Sequence, residues 1–158
     1  MEILGEEFDF VEAFLWILGI NAVGLISGFV SGTASGTFYQ SLSKPFFTPP
    51  SWVFGVVWPV LYTLIGISGY LAWRSDISNR IKLLFIGQIL FNFFWSIIFF
   101  GYESITLALV EIFVLVAVLV PVVKGFYEDK KVSAYLLVPY VIWVVYALLL
   151  NLSIVLLN

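Results

Sequence analysis

The sequence predicts an all-α integral membrane protein, a bundle of five transmembrane helices. Three observations lead there. Of 158 residues, 62% are hydrophobic and only 11% are charged, whereas soluble domains devote about a quarter of their residues to charge. Several runs of about 18 or more residues contain almost no charge, and roughly 20 apolar residues cross a hydrocarbon core of about 30 Å. The chain has no cysteine and no histidine. That excludes disulfides, zinc sites, His-based acid–base catalysis and haem ligation by His or Cys.

Residues 1–10 read as a polar lead. Glu2, Glu6, Glu7, Asp9 and Glu12 put half of the ten acids in the first twelve residues. This acidic start, with no small-residue cleavage site after a short apolar core, is unlike a signal peptide. No basic patch or tail for nucleic acid is present. The transmembrane domain occupies residues 11–158.

The first span covers about residues 11–32. Gly24, Gly28 and Gly32 recur every fourth residue, and small residues at this spacing let helices approach closely in lipid. Two readings stay open: a homodimer seam, or close packing within the bundle. Residues 33–50 form the longest connection, carrying Ser, Thr, Gly, Pro and aromatics with Lys44 as its one charge. Such a loop can cap a membrane pocket or serve as an interfacial aromatic belt.

The second span, about 51–73, follows Pro49 and Pro50. Proline suits a helix start, because its φ is preset and its missing N–H has no partner there. Ser51 is a candidate cap. Trp58 and Tyr62 are four apart and share a face, which reads as the aromatic wall of a pocket. The third span, about 81–101, sets Gln88, Asn92, Trp95 and Phe99 on one face. Two amides in hydrocarbon are costly unless paired, so this face should point inward.

The fourth span, about 104–126, carries Glu111 roughly 10 Å deep at 1.5 Å per residue. An ionisable residue inside a span marks either a function or a hydrogen-bonded structural carboxyl. Pro121 is a candidate kink. After the loop KGFYEDKKVS, the fifth span, about 132–157, aligns Tyr140, Trp143, Ala147 and Asn151 on one face. Arg74, Arg80, Lys82, Lys124, Lys130 and Lys131 fall on the N-terminal side and only Lys44 on the other. The positive-inside rule then puts the N-terminus in the cytoplasm, with the C-terminus and loop 33–50 outside.

Four stretches together resemble the translocator protein family, also called tryptophan-rich sensory proteins or peripheral-type benzodiazepine receptors. They are TFYQSLSKPFFTPPSWVFGVVWPVLYTLIGISGYLAW, GQILFNFFWSIIFFG, LALVEIF and PYVIWVVYALLLN. The resemblance covers about residues 15–155. It implies a five-helix bundle with a pocket opening toward the long loop. It also implies ligands such as porphyrins (protoporphyrin IX, haem), sterols and isoquinoline carboxamides. By position it implies that Tyr39, Trp58, Tyr62, Asn92, Trp95, Phe99, Trp143, Ala147 and Leu150 line the pocket, and Gln88 adds a polar group from the inward face derived above. Phe38 and Phe47 stand where the family usually has Trp, and Leu83 where its third-helix dimer motif has a small residue. Leu152 replaces a Trp tied to porphyrin breakdown in some bacterial members. LNLSIVLLN lacks the Tyr and basic residue of the sterol-recognition pattern.

The leading expectation is a membrane ligand-binding protein, acting as sensor, carrier or scavenger, with no obligatory cofactor, no metal site, and porphyrin or haem as ligand. A prokaryotic plasma membrane is the expected location. One alternative is a photo-oxidative porphyrin-degrading enzyme, disfavoured by Leu152. Another is a transporter using Glu111 as a proton relay, disfavoured by the lack of inverted repeats. The last is a scaffold whose aromatics merely pack.

Overall fold

The computed structural model describes residues 9–31 and 37–158, together with the backbone of residues 2–3 and 6–7. Two two-residue strands, β1 (Glu2–Ile3) and β2 (Glu6–Glu7), pair antiparallel ahead of the bundle. Five long helices follow, each long and apolar enough to cross a membrane: α1 (Phe10–Val30), α3 (Ser51–Trp73), α4 (Asn79–Ser96), α5 (Ile105–Asp129) and α6 (Lys131–Leu157). The chain is an integral, multi-pass membrane protein. A four-residue helix, α2 (Phe38–Ser41), interrupts the long loop.

The helices form a closed ring in which α1 packs on α3, α3 on α6, α6 on α5, α5 on α4, and α4 returns to α1. Large apolar side chains such as Leu25, Phe29, Phe113 and Ile142 point outward, as expected where lipid is the solvent. Leu83 is also exposed. Interhelical hydrogen bonds tie the ring internally. Ser27 Oγ donates to Phe93 O at 2.7 Å, and Ser68 Oγ to Ser133 O at 2.8 Å. In hydrocarbon such bonds help hold helices together because water cannot compete.

Several ends differ from the sequence expectation. The first helix starts at Phe10, because Asp9 Oδ1 accepts from the N–H groups of Val11 and Glu12 at 2.9 and 3.1 Å. That satisfies two of the orphan donors of a helix start. Ser51 is not a cap. It is the first residue of α3, the cap position is Pro50, and no side chain caps that end. Expected as a loop, the stretch after Phe126 is helical through Asp129, with α6 beginning two residues later. Its polarity ends the hydrophobic span without ending the helix. Lys124 and Glu128, four apart and 3.9 Å from each other, suit a helix that projects into water. The break falls at Lys130, at φ −140° and ψ 84°.

Helix α4 ends in a π-helical turn, Ile97–Gly101. Glu103 then takes a left-handed φ of 54°, and Ser104 N–H closes back on Ile98 O at 3.1 Å.

The glycine series resolves in part. A Cβ at Gly24 would overlap the ring of Tyr62, so Gly24 is packed against α3 of the same chain. Backbones approach closely at Gly66, where an added Cβ would lie 2.8 Å from Ile17 Cα. Gly28 lies partly buried on α1, and Gly32 falls outside the described residues.

Candidate functional site

Aromatic rings gather at the end of the bundle beneath α2. On α3, Trp58 and Tyr62 stack at 5.1 Å with their planes 24° apart. Their spacing of four predicts this, since i and i+4 overlie on a helix. Trp143 of α6 meets Trp58 edge-to-face at 6.5 Å. Trp95 of α4 stacks on Phe99 at 5.1 Å and 27°. From above, Phe38 and Tyr39 of α2 each sit 6.2 Å from Phe99. Leu150 is buried in the same cluster, and Ala147 packs against the neighbouring core. Trp58, Trp95 and Trp143 are all half-buried and packed within the bundle.

Four contributors went unnoticed in the sequence. Phe54 lies 5.8 Å from Trp143 and also packs with the cluster around Phe99, so it joins the two groups of rings. It is four residues before Trp58, a signal that could have revealed it. Tyr146, three residues after Trp143, lies 5.5 Å from that indole. Phe100 reaches Tyr39 at 5.8 Å because the π-helical turn brings two consecutive rings toward α2. Asn158 ties down the loop: its side chain accepts from Ser43 N–H at 2.9 Å and donates to Ser43 O at 3.0 Å.

The loop has further fastenings. Lys44 Nζ donates to the carbonyls of Tyr39 and Leu42 at 2.6 and 2.9 Å and lies 4.8 Å from the Tyr39 ring. The single basic residue of this face thus caps the end of α2. Tyr146 hydroxyl donates to Phe47 O at 2.7 Å. Burial, with Tyr146 nearby, holds the Tyr39 phenol above its ordinary pKa.

The polar residues occupy a second level, nearer the middle of the bundle. Tyr62 hydroxyl donates to Asn92 Oδ1 at 3.0 Å. Gln88 is fully buried. Together with Tyr140, Ile20, Val23, Ile65 and Ile89, these groups line a small cavity. Glu111 is buried on α5, and neither carboxylate oxygen has a hydrogen-bond partner among the described residues. One more polar link lies between the levels: Asn151 accepts from Trp95 Nε1 at 3.4 Å and donates to Ile105 O at 2.9 Å. The predicted residues therefore split into an aromatic cluster and a polar level beside it, with Tyr62 belonging to both.

The sequence profile of the TspO/MBR family matches residues 16–157. A tryptophan-rich protein TspO of Archaeoglobus fulgidus is 41% identical over 145 residues, covering 90% of this chain and 94% of that protein. The translocator protein of Homo sapiens is 32% identical over 119 residues, covering 72% and 70%. A tryptophan-rich sensory protein of Cereibacter sphaeroides is 30% identical over 121 residues, covering 77% of each. With nearly its whole length matched and five membrane-crossing helices in a ring, the chain belongs to the TspO/MBR family.

Proposed function

We propose that this protein binds flat, apolar aromatic molecules of the porphyrin and haem type between its helices, as a membrane sensor, carrier or scavenger. The observation that carries this is the convergence of Trp58, Trp95, Phe99 and Trp143 from three helices beneath the ring-bearing segment α2. Such walls offer a planar ligand stacking and large contact area. Few polar groups interrupt them, as in most small-molecule sites. Tyr39 hydroxyl and Trp143 Nε1 are buried without hydrogen-bond partners among the described residues, so each can donate to an acceptor on a ligand.

No side chain in the cluster is a His or Cys, so haem iron could be held only by a Tyr or not at all, and recognition rests mainly on the macrocycle. Metal-free porphyrin then binds about as well as haem. Six basic residues at the N-terminal face against Lys44 at the other support a cytoplasmic N-terminus, with the aromatic cluster toward the outside.

Titration of detergent-purified protein with protoporphyrin IX, followed by tryptophan quenching and thermal shift, tests the reading. The expected result is saturable quenching and a raised Tm, both weakened in a Trp58→Phe/Trp95→Phe variant. An unchanged thermal shift in that variant would reject the cluster as the site.

A further inference from the structure

Two side chains at the centre of the bundle lack partners of their own. Gln88 is fully buried, and neither its amide nitrogen nor its amide oxygen has a hydrogen-bond partner among the described residues. Tyr140 is fully buried, and its hydroxyl makes no hydrogen bond of good geometry among the described residues, though the Asn92 side chain lies close to it. Both line the cavity that Tyr62 and Asn92 also line. Dry burial of such groups is costly, and buried side-chain polar atoms in folded proteins are nearly always satisfied. The cavity has a volume of about 10 Å³. That is near the smallest space that accepts one water, which needs two to four polar partners.

We propose that this cavity binds a single water molecule that bridges Gln88 and the Tyr140 hydroxyl beside the aromatic cluster. The chemistry of the lining selects water. Gln88 offers a donor and an acceptor, and the Tyr140 hydroxyl offers both, matching a molecule with two of each. No lining side chain carries a charge, so none would ligate a cation, although the Glu111 carboxyl acts on Tyr140 from outside the lining. An apolar atom of the same size fits but leaves Gln88 and Tyr140 dry. The water links α4 to α6 and sits beside the Tyr62–Asn92 bond. It thereby steadies the Tyr62 ring on which Trp58 stacks. The site is independent of any porphyrin ligand and is tested on protein without one.

Two measurements decide it. In ¹⁵N-labelled protein in lipid bilayers, water-edited solid-state NMR should show transfer from water to the Gln88 side-chain amide as fast as to surface amides, with the signal assigned by its loss in Gln88→Met. Absence of transfer in the wild-type chain overturns the proposal. In a double-mutant cycle, Gln88→Met and Tyr140→Phe should each lower Tm. The double variant should lose no more than the worse single one, because either change releases the shared water. A rise in Tm for either single variant means a dry site, and additive losses mean that no molecule couples the pair. Either result overturns the proposal.

Discussion

Gly24→Ala tests whether the first glycine of the α1 series serves the bundle or a second copy of the chain. An alanine Cβ would lie 2.5 Å from Tyr62 Cζ and 2.6 Å from Cδ2, where ordinary contact begins at 3.4 Å. Tyr62 Cε2 lies closer still, so the ring must retreat by more than about 1 Å, in a core that resists overpacking at a cost of roughly 1–3 kcal/mol. A shift of that size stretches the 3.0 Å bond from Tyr62 to Asn92 beyond hydrogen-bond range, adding about 1 kcal/mol. It also slides the ring off Trp58. The expected destabilisation is about 2–4 kcal/mol, a Tm drop of roughly 4–16 °C for a chain of this size. The assay is thermal unfolding in detergent. Gly19→Ala and Gly55→Ala serve as controls, because an added Cβ meets nothing within 4 Å at either position. Gly24→Ala combined with Tyr62→Leu should lose less than the sum of the two, since the shorter side chain clears the overlap. If Gly24→Ala matches the controls in Tm while changing the oligomeric state on size exclusion, the packing argument fails and the dimer seam is right.

Other outcomes follow from the same geometry. Gly66→Ala should be more damaging than Gly24→Ala, because its Cβ meets the backbone of Ile17 at 2.8 Å and no side chain can rotate away; equal Tm values would count against this. Glu103→Gly should raise Tm, since glycine removes about 1 kcal/mol of strain at a φ of 54°; a fall would mean the carboxylate has a role that outweighs it. Lys44→Met should speed amide hydrogen exchange across residues 38–44, because the ammonium is what satisfies the carbonyls of Tyr39 and Leu42; unchanged protection would show that the ties to Asn158 and Tyr146 suffice. Trp143→Leu should weaken protoporphyrin IX binding about tenfold, the equivalent of one lost aromatic contact of roughly 1.4 kcal/mol; full-strength quenching and thermal shift would place the ligand elsewhere. Arg74→Gln should cost less than about 1 kcal/mol although it breaks a 2.8 Å pair with Glu12, because both side chains are about one-third exposed; a larger loss would reveal a buried role.

Composition and apolar run length sufficed for the number of membrane crossings, because a span must satisfy its own backbone and so must be a helix. Residue spacing along single helices sufficed for the Trp58–Tyr62 stack and for the inward face of α4, since those relations are local. What lay beyond the sequence was which faces meet. In lipid, a helix is apolar all round, so hydrophobicity does not mark the side that turns inward as it does in water. Only packing showed that Gly24 meets Tyr62, that Gly66 lies against the backbone of Ile17, and that Phe54 bridges two groups of rings. Packing likewise set Gln88 with Tyr140 at a polar level beside the aromatic cluster. The helical stretch past Phe126 escaped for a related reason: hydropathy reports where the membrane ends, whereas the backbone ends its helix only where its hydrogen bonding and φ/ψ change, at Lys130.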